Sequence, residues 1–141
     1  MSIYLVPGII AVDFDGTVVD HRYPQIGPSA PLAAETLRDL TIFGYKLILN
    51  TMRSGHHLKE AIKWFEQNNV PLYAVGYDPK QKEWTTSNKC YAQLYIDDMA
   101  FGAPLVRPSD FHSPCIDWKQ IRASFNLNER MRIRNKGQPH G

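Results

Sequence analysis

The chain is short of several things that would narrow its class. It has two cysteines among 141 residues, Cys90 and Cys115, with no CxxC pair and no Cys/His cluster. A disulfide framework and a zinc site are therefore both poorly supplied, and the thiols are expected to be reduced. No run approaches the roughly 20 apolar residues that cross a bilayer, and the start MSIYLVPG has neither the basic head nor the long apolar segment of a secretory leader. A cytoplasmic protein with no membrane partner is expected. Net charge is also small, +2, and unevenly placed. From Glu129 onward stand Arg130, Arg132, Arg134 and Lys136 against one acid, leaving 12 basic and 13 acidic residues in the first 128. Nucleic-acid affinity draws on clustered Lys and Arg that release counterions, so this near-neutral body argues against a dedicated groove. Nucleic acid is expected at most as a phosphorylated end.

What is present is an ordinary globular composition, 43% hydrophobic and 21% charged, which excludes a disordered chain and suits one domain over residues 1–128. Residues 129–141 read as a basic, flexible tail. Gly8 to Asp15 (GIIAVDFD) is an apolar, partly β-branched run that meets acids and then Gly16, the pattern of a buried strand ending in a polar loop. Ala33, Leu37 and Leu40 follow at helical spacing, with Gly44 as the stop. Lys46 to Asn50 (KLILN) reads as a second strand. Leu58, Ala61, Ile62 and Phe65 form an apolar stripe opposite Lys59, Glu60, Lys63 and Glu66, a second helix. Leu72–Val75 and Leu94–Ile96 read as further strands, and Asp117 caps a last helix reaching Phe125.

Strands alternating with helices imply an α/β fold: a doubly wound, three-layer sandwich around a mainly parallel sheet covered on both faces. Ligands in such sheets gather beyond the carboxyl ends of the strands. Asp13 and Asp15 end the first strand, Thr51 follows the second, and Asp97 with Asp98 ends the last. Carboxylates converging at one edge repel one another unless a cation neutralises them, and a hard divalent ion with oxygen ligands, most simply Mg²⁺, does so while keeping room for a phosphate oxygen. One carboxylate can then attack phosphorus, and a second, two residues along, can move the proton.

These segments resemble the haloacid-dehalogenase-like phosphohydrolases. Asp13-Phe14-Asp15-Gly16-Thr17 is similar to that family's first motif, Leu47-Ile48-Leu49-Asn50-Thr51 to its second and Tyr95-Ile96-Asp97-Asp98 to its fourth. Lys89, expected at the start of a short helix, is placed like the third-motif lysine, with Lys80 and Lys82 as alternatives. The resemblance implies that Asp13 is nucleophile and metal ligand and that Asp15 is the general acid/base, with its backbone carbonyl on the metal. It implies that Asp98 binds the metal directly, Asp97 through water or in its place, and that Thr51 and Lys89 bind phosphate. Arg53, beside Thr51, is a further candidate for substrate binding.

Neither loop that could hold a cap domain has room for one, so the resemblance is closest to small capless members associated with phages and bacteria, and the segment Asp20–Gly27 becomes a flap over the site. A magnesium-dependent phosphomonoesterase acting on a small phosphorylated substrate is the expected activity. Phosphotransfer to an acceptor other than water, a receiver-like domain and a non-catalytic phosphate-binding module are the rivals. His56 and His57, adjacent on a helix, are expected to diverge, and Trp64, Trp84 and Trp118 to be packing residues.

Overall fold

The computed structural model describes residues 7–137; most of the start MSIYLVPG and the last four residues of the basic tail lie outside them. The chain runs β1 (Ile9–Val12), α1 (Ala33–Ile42), β2 (Lys46–Leu49), α2 (Gly55–Gln67), β3 (Ala74–Val75), a 3₁₀ helix (Pro79–Glu83), β4 (Leu94–Ile96), β5 (Leu105–Val106), β6 (Cys115–Ile116), α3 (Trp118–Ser124) and α4 (Leu127–Lys136). Strands β3-β2-β1-β4, in that order, form a sheet whose pairs are all parallel, a Rossmann-like α/β arrangement. Among the described residues no helix is long and apolar enough to cross a membrane.

Alternation along the strands divides the core. Ile10, Val12, Leu47, Leu49 and Ile96 point into the larger cluster, where they meet Leu37 and Leu40 of α1, Ala61 and Phe65 of α2, Trp118 of α3 and Leu127 of α4. Each such fully buried aliphatic or aromatic side chain contributes about 1.5–3 kcal/mol relative to its exposed state. Ala11 and Ile48 point the other way, into a smaller cluster with Cys90, Tyr73 and Ala92. Sequence patterning leads one to expect helices over both faces. Instead all four α-helices belong to the larger cluster, and the smaller one is covered by the β3–β4 crossover. That crossover is organised by Asp78 and Gln81, which cap each other's backbone. Buried Gln81 also donates to the Lys89 carbonyl at 2.8 Å and accepts from the Tyr91 N–H at 2.9 Å. These side-chain bonds do what a helical ladder would, and residues 85–93 form no helix at Lys89.

Two short strands not expected from sequence, β5 and β6, pair antiparallel, Leu105 opposite Ile116 and Val106 opposite Cys115, and one further expectation is corrected. The tail from residue 129 is, as far as it is described, most of α4. Leu127 anchors this helix in the core, and the Arg130 guanidinium lies 4.3 Å from the Phe43 ring centre, a stacking contact that a charged tail gains only against aromatic surface.

The loop between β1 and α1 is pinned rather than free. Asp20 N–H donates to the Pro28 carbonyl and Ala30 N–H to that of Val18, each within 2.9 Å. The buried Asp20 carboxylate accepts from Arg22 Nε at 2.9 Å and from the backbone N–H groups of His112 and Ser113 at 2.8 and 3.3 Å. Burial pushes this carboxyl up, but the His112 and Ser113 N–H groups and the Arg22 guanidinium outweigh it and hold it below the usual range. A depressed carboxyl pKa contributes stability that is present above about pH 4 and lost as acid titrates the folded group. Asp20→Asn is therefore expected to destabilise at pH 7 by about 1–3 kcal/mol and to flatten the acid limb of the stability–pH curve. Urea melts between pH 3 and 7 measure this, and parallel curves for the two proteins would refute it.

Candidate active site

Register brings the acids together. Val12 lies opposite Leu49 and Ile96, so the next residues, Asp13, Asn50 and Asp97, leave the sheet side by side at its carboxyl edge. The ladder continues one step, with Asp13 N–H donating to the Ile96 carbonyl at 3.0 Å and Asn50 N–H to that of Val12 at 2.8 Å. A cleft of about 590 Å³ opens there, with Asp13, Asp15, Thr51, Arg53, Asp97 and Asp98 in its wall. It falls within the size range of small-molecule sites.

Asp13, Asp97 and Asp98 each offer a carboxylate oxygen within 4.8 Å of the others. Thr17, fully buried, links two of them: its hydroxyl donates to Asp13 Oδ2 at 2.8 Å, stands 3.3 Å from Asp98 Oδ1, and accepts the Asp98 N–H at 3.2 Å. Burial, with Asp97 and Asp98 adding like charge against the Thr17 hydrogen bond, pushes the Asp13 carboxyl up to about 8. Burial and Asp97 also raise Asp98. Three carboxylate oxygens held this close are a hard donor set suited to a divalent cation.

Gly16 makes the close approach possible. Its φ is +83°, and a Cβ there would stand 2.3 Å from Asp98 Oδ2. Gly16→Ala is expected to cost about 1–3 kcal/mol through that strain and contact. Denaturant melts read the effect; a variant as stable as wild type would contradict the placement of Asp98.

Asp15 meets Arg53 as a two-pronged ion pair, Nε to Oδ2 at 2.7 Å and Nη2 to Oδ1 at 2.8 Å. The remaining guanidinium N–H groups reach the carbonyls of Pro24 and Gln25, each at 3.1 Å, and of His57 at 3.4 Å. The plane also lies 5.1 Å from the ring centres of both Phe14 and Tyr23. All five donors are thus committed, and Arg53 is 4% exposed. The expectation that Arg53 binds substrate is corrected: it clamps Asp15 and the flap, because a planar fork with five donors fits two carboxylate oxygens and three carbonyls at once.

No family model matches the chain, and no curated protein does. A solved structure described as that of a conserved protein coded by a locus from Bacteroides thetaiotaomicron is 37% identical to it, the match covering 89% of this chain and 92% of that one, with a TM-score of 0.69. The chain belongs to that protein's family.

Among residues selected from sequence, Lys89 does not join the family member's cleft. Its ammonium stands 5.7 Å from the Tyr95 ring centre, and the cleft wall contains no lysine. Lys82 lies over Tyr77 at 4.6 Å, and Lys80 is likewise absent from the wall. Without a helix at residue 89, the expected geometry for that lysine is lost. Thr51 is in place; its Oγ accepts the Arg53 N–H at 3.1 Å, which leaves the hydroxyl hydrogen free to donate. Thr17 lies in the first motif and His21 and Tyr23 in the expected flap, but residue order assigns them no individual roles; Met52 and Met99 carry no signal. His56 and His57 do not diverge: their ring centroids are 3.9 Å apart, and both offer nitrogens within 4.8 Å of a Glu60 oxygen. Glu60, three and four positions along the helix, lies between them. Trp64 and Trp118 are buried, whereas Trp84 is 65% exposed, so packing accounts for two of the three.

Proposed function

We propose that this protein is a magnesium-dependent phosphomonoesterase working through an aspartyl phosphate. The observation that carries the reading is the meeting of Asp13, Asp97 and Asp98 within 4.8 Å of one another at the sheet's carboxyl edge, with Asp15 and Thr51 in the same cleft wall. The donors fit Mg²⁺, held by Asp13 and Asp98, with Asp97 as an alternative or water-linked ligand and the Asp15 carbonyl as a further oxygen. When bound, the ion neutralises the carboxylates and the phosphoryl oxygens. Asp13 Oδ attacks phosphorus while the ester P–O bond breaks and its electron pair passes to the leaving oxygen, which takes a proton from Asp15. Water then attacks the same phosphorus, Asp15 receives its proton, and the bond to Asp13 breaks to release phosphate. Thr51 donates its hydroxyl hydrogen to a phosphoryl oxygen. Both Asp15 oxygens face Arg53 at rest, so each proton transfer requires that carboxyl to turn toward the cleft.

The capless frame, its sheet wound outward in both directions from β1, is part of the same proposal. The strand order turns back between β1 and β4, the kind of switch point at which α/β sheets bind ligands. A site with no cap is open to water, which favours hydrolysis over transfer to another acceptor. A cytoplasmic setting suits two buried free thiols, Cys90 and Cys115.

The test is release of inorganic phosphate from 4-nitrophenyl phosphate, with Mg²⁺ and with chelator. Turnover that requires the metal, and that Asp98→Asn lowers by about 10²-fold or more, is the expected result. No turnover on this or on a broad panel of small phosphomonoesters would overturn the reading in favour of a binding module.

A further inference from the structure

We propose that the cleft selects phosphomonoesters whose alcohol carries a flat aromatic or apolar body and a single phosphoryl group, and discriminates against substrates bearing a second phosphate. This rests on the phosphomonoesterase reading and names the substrate class of that same site.

The first observation concerns charge. Among the described residues the wall holds four carboxylates, Asp13, Asp15, Asp97 and Asp98, no lysine, and one arginine. A phosphate away from the reacting centre is ordinarily held by Arg or Lys N–H groups or by a helix N-terminus. Here Arg53 is buried and has no donor left, two of its bonds going to Asp15 and three to the carbonyls of Pro24, Gln25 and His57. His21 is the other nitrogen base in the wall among the described residues, and with Asp15 paired to Arg53 a single imidazole is poor company for a dianion beside Asp13, Asp97 and Asp98. A second phosphoryl group would therefore meet like charge without a cationic partner.

The second observation concerns the mouth. Met52 is 99% exposed, Met99 85% and Tyr23 52%, and all three line this cleft. Their positions are set by turns rather than by chance rotamers. Thr51 Oγ accepts the Arg53 N–H, so Met52 sits at the apex of a tight turn whose flanking residues both line the cleft. Asp97 Oδ1 accepts the Met99 N–H at 2.9 Å in the equivalent turn after β4. Tyr23 is held by the Arg53 guanidinium and by an edge contact with His57, at 5.4 Å between centroids. Two exposed methionines and a half-exposed tyrosine around an acidic pit lose unfavourable hydration only when an apolar or aromatic body covers them, and methionine adapts to many such shapes. With the phosphoryl group at Asp13, the leaving group is the part of the substrate that reaches them.

The probes are three substrates that share a primary 5-phosphate ester: adenosine 5′-monophosphate, ribose 5-phosphate, whose leaving alcohol lacks the base, and adenosine 3′,5′-bisphosphate, which adds a phosphate. With Mg²⁺, kcat/KM for the monophosphate is expected to exceed that for ribose 5-phosphate by about 10-fold or more and that for the bisphosphate by a similar factor. In the Met52→Ser/Met99→Ser double variant, checked for folding by its melt, the first ratio falls toward one. Equal rates on the monophosphate and ribose 5-phosphate, a bisphosphate hydrolysed as well as the monophosphate, or a ratio unmoved in the double variant would each overturn the specificity inference and leave the phosphatase reading standing. Failure to release phosphate from these three and from 4-nitrophenyl phosphate would overturn both.

Discussion

Asp13→Asn is expected to lower turnover of a phosphomonoester by about 10⁴-fold or more and, in chelator at pH 8, to make the protein more stable than wild type. Both effects arise from one carboxyl group. As the proposed nucleophile it would have no substitute after this change, because an amide cannot form an aspartyl phosphate. As a buried group beside Asp97 and Asp98 it resists ionisation, with its pKa pushed up from 3.8 to about 8. For an acid the sign runs against stability: between about pH 4 and 8 the unfolded chain has released this proton while the metal-free folded protein keeps it, so stability falls across that window and levels off above it. Asparagine, which has no proton to lose, removes that loss, a gain on the order of 2–4 kcal/mol at pH 8. Mg²⁺ supplies to wild type what the substitution supplies to the variant, so saturating metal narrows or reverses the difference. Thermal melts of both proteins at pH 5 and 8, with Mg²⁺ and with chelator, measure this. A variant less stable than wild type in chelator at pH 8 would show that the three acids do not repel one another as described.

Arg53→Ala is expected to be the most damaging single change outside the acids. It leaves the Asp15 carboxylate and the carbonyls of Pro24, Gln25 and His57 without partners, and an uncompensated charge at a buried pair costs about 3–5 kcal/mol. Arg53→Lys keeps the charge but cannot span both Asp15 oxygens, so it should rescue little of the loss. It is the more useful kinetic probe because it keeps a positive charge beside Asp15 while removing the two-pronged contact. A clamp on the acid/base group lowers kcat, here by about 10²-fold, with KM for a small phosphate ester nearly unchanged. A direct phosphate ligand would chiefly raise KM. A large rise in KM with kcat intact would return Arg53 to the role of substrate binder.

These two residues also mark how far the chain is legible in one dimension. Asp13 stands out because an apolar run that stops on acids before a glycine has few other readings; β2 and β4 lie within a residue of their expected bounds, and β1 ends at Val12, three residues before Asp15. Arg53 stands equally close to a recognisable segment, yet its role depends on carbonyls 28 and 29 residues away, and no periodicity predicts where a loop's carbonyls will point. Lys89 fails for a related reason: spacing to Asp97 implies a position only if the intervening chain is helical, and Gln81 organises it otherwise. Helix α4 was hidden because ten residues rich in charge look solvated until Phe43 and Tyr45 are seen beneath Arg130.

Sequence by itself determined the alternation of apolar runs and amphipathic stripes, and hence a parallel α/β sheet with acids at one edge, because burial on both faces and helical periodicity are local properties of residue order. Tertiary structure alone decided which cations reach that edge, what covers the second face of the sheet, and how the flap is pinned. Those outcomes rest on hydrogen bonds and ring contacts between segments distant in the chain, whose geometry exists only once the chain has closed around them.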